Sequence, residues 1–480
     1  MEFALIILGG GPAGYVAALR AHTLLKKQGV LENAILLIDD HPYLGGTCLN
    51  EGCIPSKTLL HHSAHSSAHR ENSENSATRS GDRVDVWQKM QQEKDYVMGG
   101  LGQGIAYLMK NRGVKVVRGF GSAYPLEDGR IEVKVKQNKD ARDTDKAPVD
   151  EESFIGKKLL LATGSKPIAL PGLSFDQKQI ISSTEALSLQ KPPRKLAVVG
   201  AGVIGLEISS IFARLGSQVE VFEIASHSCG PVDRELSKQL EGLLQKQGIK
   251  FHFNTKIDLQ SIKKDASTVS FSAAKVHHRV DSLLVAIGRK PSVRGCEGLK
   301  LAMDPKGRIV VNDSFQTSCT NVYATGDVVD GPMLAHKASE EALVAVDMLF
   351  GNARKLHYVT IPNVVYTSPE IASVGLSEEV ARERGLEIVV GRSHMKANSR
   401  AKCTTHTQGL VKIIADKPSG RIIGLHILAE GASEMIAIGS LCLAGSMALE
   451  DLAYLPFAHP TMSEAIREAA WSALGEPLHN

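Results

Sequence analysis

A chain of 480 residues is long enough for two to four domains that each bury their own core, which excludes a single small module stapled by disulfides or metal. With 43% hydrophobic and 22% charged residues it has the profile of a globular protein, not of a disordered or fibrous one. Fifty-five Lys plus Arg against 52 Asp plus Glu leave a formal charge of +3, too small and too evenly spread for a nucleic-acid footprint.

From the N-terminus, Phe3 to Leu8 is a strand-length apolar run that stops at Gly9-Gly10-Gly11, and Ala13 to Lys27 has helical length and spacing. Ala34 to Ile38 then reads as a second buried strand. No basic stretch or cleavage site precedes the first run, so the expectation is a cytoplasmic chain without a leader. Gly9-x-Gly11-x-x-Gly14 puts backbone N–H groups at the positive end of a helix, where a pyrophosphate can be held. Asp39 closes the following strand, where a carboxylate accepts hydrogen bonds from a ribose. The glycine motif alone is a weak signal, and a tight turn with Asp39 in a loop is the plainer reading.

Cys48 and Cys53 come next, five positions apart after Gly45-Gly46. On a regular helix that spacing separates Cα atoms by about 8.6 Å, beyond the ~7 Å limit for a disulfide. A bond between them therefore requires a distorted helix, for which Gly52 and Pro55 supply the means. The Gly45-Gly46 turn suggests a helix N-terminus, where the dipole favours a thiolate. Cys229, Cys296, Cys319, Cys403 and Cys442 have no such context and read as packing residues or incidental thiols.

Two stretches look inserted: residues 61–82, rich in Ser, His and Asn, and the mostly charged residues 138–153. Both read as exposed loops or a frayed helix end. His61, His62, His65 and His69 have no carboxylate or cysteine to complete a metal set and read as a solvated surface, so no metal site is expected.

The βαβ order recurs at Leu196 to Val199, Val203 to Leu215 and Val219 to Phe222, with Gly200-x-Gly202-x-x-Gly205 between strand and helix. Glu223 closes its second strand, and no Arg or Lys follows from Ile224 to Ser228, so NAD is favoured over NADP. In the last 130 or so residues, the strand-like runs Val364-Val365, Leu410 to Ile414 and Ile422 to Ile427 alternate with helices, an α+β pattern. The uncharged run Met435 to Leu449 falls short of the ~20 residues a membrane span requires and reads as one buried helix. Near the end, Thr461-x-x-Glu464 fits a capping box. The same residues, with His459, also fit a carboxylate-held imidazole that takes a proton near neutral pH.

The run Gly45-Gly-Thr-Cys-Leu-Asn-Glu-Gly-Cys-Ile-Pro-Ser-Lys57 resembles the redox centre of the pyridine nucleotide-disulfide oxidoreductases. Ala162-Thr-Gly-Ser165, Ala286-Ile-Gly-Arg289, Ala324-Thr-Gly-Asp327 and Met333 to Ala338 extend the resemblance over nearly the whole chain. It implies an α/β architecture of two Rossmann-like domains, one for FAD and one for NAD, with a C-terminal α+β dimerisation domain. The expected boundaries are residues 1–155 for FAD, 156–283 for NAD, 284–350 completing the FAD domain, and 351–480 for the interface.

The resemblance further implies an enzyme that oxidises dihydrolipoamide on a lipoyl-bearing carrier protein, reduces NAD⁺, and works as a homodimer away from membranes and nucleic acid. Cys48 would be the interchange thiol, Cys53 the thiolate against the flavin, and His459 with Glu464 the base and its orienting carboxylate, from the other subunit. His459-Pro460 is expected to be cis. Lys57 would lie near the flavin and pair with Glu207. FAD contacts would come from Gly9, Gly11, Gly14, Asp39, Gly46, Thr47, Gly121, Thr163, Gly164, Ser165, Asp327, Met333, Leu334, Ala335 and His336. NAD contacts would come from Gly200, Gly202, Val203, Ile204, Gly205, Glu207, Glu223 and Gly288.

The chain departs from the family in having Asp39 where Glu is usual, which loosens the expected ribose contact, and Phe457 where a His is common. Glutathione-type reductases are disfavoured by Glu223 and by Ser56, mercuric reductases by a C-terminus without a cysteine pair, and transhydrogenases by the presence of Cys48 and Cys53. A non-catalytic flavin-bearing subunit of a lipoyl complex would need none of the redox residues.

Overall fold

The computed structural model describes residues 2–30, 34–71, 80–137, 151–230 and 232–479. They form two compact units. The first comprises Met1–Thr58, Gln91–Ile168 and Gly288–Leu356; the second comprises Leu59–Met90, Ala169–Ile287 and His357–Asn480.

The first unit is built on an eight-stranded sheet in the order Glu2–Phe3, Glu151–Gly156, Ile131–Gln137, Lys115–Pro125, Ile35–Asp39, Leu5–Leu8, Leu159–Leu161, Val322–Ala324. The last five strands run parallel, and three of them, Leu5–Leu8, Ile35–Asp39 and Leu159–Leu161, are buried throughout, as a sheet covered on both faces requires. One cover is the helix pair Pro12–Lys27 and Ala335–Leu349. Ala13, Ala17 and Ala21 on one share a core with Ala338, Ala342 and Val346 on the other, and the small side chains let the helices approach closely.

In the second unit a fully parallel sheet has the order Ile249–His252, Gln218–Phe222, Lys195–Val199, Ser282–Val285, Ile180–Ile181. A separate antiparallel sheet runs Asn363–Val365, Glu370–Gly375, Ile422–Ala429, Leu410–Asp416, Ile388–His394 and is covered by helices Ala432–Ala444 and Glu464–Ala473, the α+β pattern expected of the C-terminal region. Leu410 and Leu428 of this sheet also share a core with Leu236 and Leu240 of helix Arg234–Lys246.

The structure moves several boundaries. A break after residue 155 would cut strand Glu151–Gly156, and the wholly buried Leu159–Leu161 pairs in the first sheet, so the first unit runs on to Ile168 and resumes at Gly288. Residues 59–90 join the second unit because Trp87, fully buried, packs on Phe212 and donates its indole N–H to the Leu189 carbonyl at 2.6 Å. Of the two readings of segment 61–82, its start is a helix end: helix Cys53–Glu71 runs into it, with Leu60 and Ser63 buried and bonded to Arg214. Helix Ser80–Asn111 follows, and residues 72–79 lie outside the described residues. Of 138–153, only 151–153 are described, and they open a strand. The run Met435 to Leu449 is not one helix, because Gly445 and the left-handed Ser446 end the first before Leu449 opens a second. Among the described residues no helix is long and apolar enough to cross a membrane.

Candidate active site

The two glycine loops repeat each other residue for residue. Gly9 and Gly200 have φ of 101° and 104°, which only glycine adopts freely, and a Cβ on either would meet the backbone of Ala162 or Ala286. A Cβ on Gly14 or Gly205 would overlap the carbonyl of Gly9 or Gly200, so these two glycines let helix and strand close up. Gly11 and Gly202 are different. Their φ values of −68° and −78° suit any residue, and a Cβ on Gly202 would meet nothing within 4 Å. Space there serves a group from outside the chain. Neither helix N-terminus has a side-chain cap, so its first N–H groups point at that space. A dinucleotide phosphate fits both, and Val203 and Ile204 form the first turn at the second.

Each loop is closed by its carboxylate. Asp39 accepts the N–H of Gly10 on Oδ2 and that of His41 at 2.8 Å on Oδ1. Glu223 accepts the N–H of Ala201 at 2.7 Å and that of Ala225 at 2.8 Å. An ionised carboxylate has about four acceptor sites, so both keep capacity for ribose hydroxyls.

Cys48 and Cys53 lie where one helix ends and another begins. Gly46–Glu51 is a short helix, Gly52 breaks it with φ −139° and ψ −110°, and Cys53 opens the next, with Pro55 in its first turn where no N–H is missed. A Cβ on Gly46 would come within 2.6 Å of Gly11 Cα, so this junction is pressed against the first glycine loop. The thiols are in hydrogen-bond contact. That contact, together with burial and the charge of Cys53, pushes the Cys48 thiol far up, while the Lys57 ammonium pulls the other way. The neighbouring sulfur and burial thus act on Cys48 against the lowering expected of a helix N-terminus.

Around this junction the structure gathers Thr163, Gly164, Ser165 and Asp327. Thr163 Oγ1 donates to the Ser292 carbonyl at 2.6 Å, Gly164 turns the chain with φ of 70°, and Ser165 Oγ donates to Asp327 at 2.5 Å. Arg289 completes the relay, giving Nε to Ser165 Oγ and Nη2 to Ser165 O, both at 2.7 Å. Burial lowers the Arg289 pKa, opposed by Asp327, Glu51 and Cys53, which places its guanidinium in the field of the thiol. The Asp327 turn is held by a wholly buried pair. Lys337 donates to the Gly326 carbonyl at 3.0 Å, Glu341 accepts the Gly326 N–H at 2.7 Å, and the two lie 3.1 Å apart. Arg289 and Lys337 stand in motifs that carry the resemblance but had no role of their own there, and Glu341 stood in none. Only the i, i+4 spacing of the last two could have marked them.

Met333 and Leu334 lead into helix Ala335–Leu349, whose first turn carries Ala335 and an exposed His336. Gly288 has φ of 125°, and its carbonyl accepts the Ile168 N–H. Thr47 lies in the short helix before Cys48. Gly121 sits inside a strand, where a Cβ would strike Leu8, so its glycine serves packing in the sheet.

In the second unit, His459 Nδ1 lies 3.0 Å from Glu464 Oε1, and the His459-Pro460 bond is cis. The imidazole is 69% exposed. The capping box is only half made: Glu464 accepts the Thr461 N–H, but the Thr461 hydroxyl turns to the Ala458 carbonyl, and the helix begins at Glu464 itself. Burial raises the Glu464 pKa, but the Thr461 N–H and the imidazole outweigh it and hold the carboxyl below its usual range. Glu207 is buried and accepts the Tyr366 N–H at 3.0 Å.

Residues 3–342 match the profile of the pyridine nucleotide-disulphide oxidoreductases, and residues 361–470 that of the same family's dimerisation domain. Mitochondrial dihydrolipoyl dehydrogenase of Mus musculus is 41% identical, covering all of this chain and 92% of the relative. The Homo sapiens enzyme of the same name is 42% identical, over 97% and 90%. Among solved structures, LpdA from Mycobacterium tuberculosis shares the fold, with a TM-score of 0.85 at 24% identity over 98% and 99% of the two chains. The HOCl-induced flavoprotein disulfide reductase RclA from Escherichia coli gives 0.81 at 26%, over 98% and 99%. Two dinucleotide loops, a thiol pair pressed against the first of them, and a dimerisation domain that carries a histidine–carboxylate pair are thus found together, and the chain belongs to the pyridine nucleotide-disulphide oxidoreductases.

Proposed function

We propose that this chain is an FAD-dependent dihydrolipoamide dehydrogenase, which oxidises carrier-bound dihydrolipoamide to lipoamide and reduces NAD⁺ to NADH. The observation that carries it is the Cys48–Cys53 thiol pair at the Gly52 helix break, in a chain 41–42% identical from end to end to dihydrolipoyl dehydrogenases.

FAD would lie in the first loop, on Gly9, Gly11, Gly14, Asp39 and Gly46, with Asp327 and Met333 to His336 along it, and NAD in the second, on Gly200 to Gly205 and Glu223. When bound, FAD carries the electron pair between the thiols and the nicotinamide. The chain's own residues do the rest. His459, held by Glu464, removes a proton from one substrate thiol. The resulting thiolate attacks Cys48 in the Cys48–Cys53 disulfide, a substrate–Cys48 bond forms, and Cys53 leaves as a thiolate. The second substrate thiol then attacks the substrate sulfur of that bond, closing the lipoamide disulfide, and its proton goes to the departing Cys48 sulfur, which is released as a thiol. The substrate has lost two electrons and the cysteine pair has gained them. Glu223 receives the ribose of NAD and repels a 2′-phosphate.

The working form is a homodimer in which the exposed His459 of one subunit serves the cysteine pair of the other. The test is an anaerobic titration with dihydrolipoamide followed by NAD⁺. A long-wavelength charge-transfer band that NAD⁺ discharges, with NADH formed, is the expected result. An unchanged spectrum with dihydrolipoamide, and reduction by NADPH instead, would overturn both the substrate and the NAD reading.

A further inference from the structure

Asp39 and Glu223 hold equivalent places in the two glycine loops, yet one is a methylene shorter. Both clasp their loop through a backbone N–H on each oxygen. The shorter stem draws Asp39 inward: it is only 5% exposed, and the space beside Gly10 is filled by its Cβ and Oδ2. At the rim stands His41, whose Nδ1 lies 3.1 Å from Asp39 Oδ1 with the side chain 26% exposed. The second loop has Ala225 at the corresponding position.

The groups facing the ring are Asp39 and Asp40 on its own turn, Glu51 on the short helix, and Arg118 of the neighbouring strand, which donates to the His41 carbonyl. The hydrogen bond to Asp39 raises the His41 pKa against its desolvation, and the three carboxylates add to the rise. With Nδ1–H given to Asp39, Nε2 faces away from that bond and is the ring's remaining polar atom. Asp39, Asp40 and His41 are also close enough together to hold a cation. Both Asp39 oxygens already accept N–H donors, however, so a hydroxyl is the better match.

We infer that His41 is a binding residue for the adenosine ribose of FAD, its imidazole extending the donor–acceptor line of the inward-drawn Asp39 out to the rim. This rests on the reading that FAD occupies the first loop. It is tested on the flavin-stripped full chain by FAD titration, read as quenching of flavin fluorescence, with circular dichroism as a check that each variant folds.

His41→Ala is expected to weaken FAD binding roughly ten-fold, the size of one hydrogen bond to a charged pair. Asp39→Glu in the same chain is expected to restore it to within about two-fold, because the longer carboxylate then reaches the ribose as Glu223 does. The affinity of the holoenzyme for NADH stays unchanged. An affinity for FAD unaltered by His41→Ala, or no recovery in the double variant, overturns the inference. If the unaltered chain binds no FAD, the reading beneath it fails instead.

Discussion

At the scale of the residue, Cys48 and Cys53 are in hydrogen-bond contact but meet different charges, Lys57 acting on Cys48 and Arg289 lying in the field of Cys53. Cys53→Ser is expected to cut dihydrolipoamide oxidation by at least about 10³-fold, since no disulfide is left to attack. Flavin content, read from the visible spectrum, stays unchanged. His459→Gln is expected to lose about 10²–10⁴-fold in the same assay, the ordinary worth of a general base, while NADH reduction of the flavin in a stopped-flow trace stays intact. At this scale the sequence was informative where spacing encodes chemistry, as in the cysteine pair and the His459 segment. It assigned no role to Arg289, whose partner Ser165 lies 124 positions away, because no local pattern announces a bond that only the fold creates.

At the scale of the element, the two strand–turn–helix units were legible because the turn imposes a glycine wherever φ is positive or a backbone crosses closely. Gly200→Ala tests this. Its Cβ would sit 2.5 Å from the Ala286 carbonyl oxygen with φ at 104°. The second loop must shift, so the KM for NAD⁺ rises by an expected ten-fold or more, a loss of at least ~1.4 kcal/mol, while bound flavin is retained. Other elements were less legible for a physical reason. For the Ser- and His-rich segment that begins at residue 61, composition left loop and helix end both open, and the second holds as far as Glu71: Leu60 and Ser63 bond Arg214, so tertiary contacts carry the helix on. The uncharged run near the C-terminus hid a helix end, because Gly445 and Ser446 interrupt it without any change of polarity.

At the scale of the whole molecule, stability depends on charges buried inside the second unit. Lys412, 1% exposed, is ringed by Asp233 at 2.8 Å, Glu378 at 2.7 Å and Glu235 at 3.1 Å. Lys412→Met would leave the buried Asp233 carboxylate uncompensated, at a cost of about 3–5 kcal/mol in urea unfolding. Burial raises the Glu378 pKa, but Lys412 and Arg382 outweigh it and bring the carboxyl down to about 2 from its ordinary 4.5. A carboxyl depressed by folding stabilises the native state above its unfolded pKa, and that contribution fades as pH falls toward the folded one. Acid sensitivity between about pH 4.5 and 2 is therefore expected to be flatter in Lys412→Met than in the unaltered chain, as monitored by tryptophan fluorescence. The Gly52 break has a consequence of its own for the catalytic cycle. It brings the two sulfur atoms into contact while both are thiols, so opening and closing their bond shifts side chains and leaves the backbone where it is. Little structural reorganisation then accompanies electron transfer, and amide hydrogen exchange across Gly46–Glu51 should be alike in the oxidised and two-electron-reduced protein, each turnover starting from a frame already set for the next.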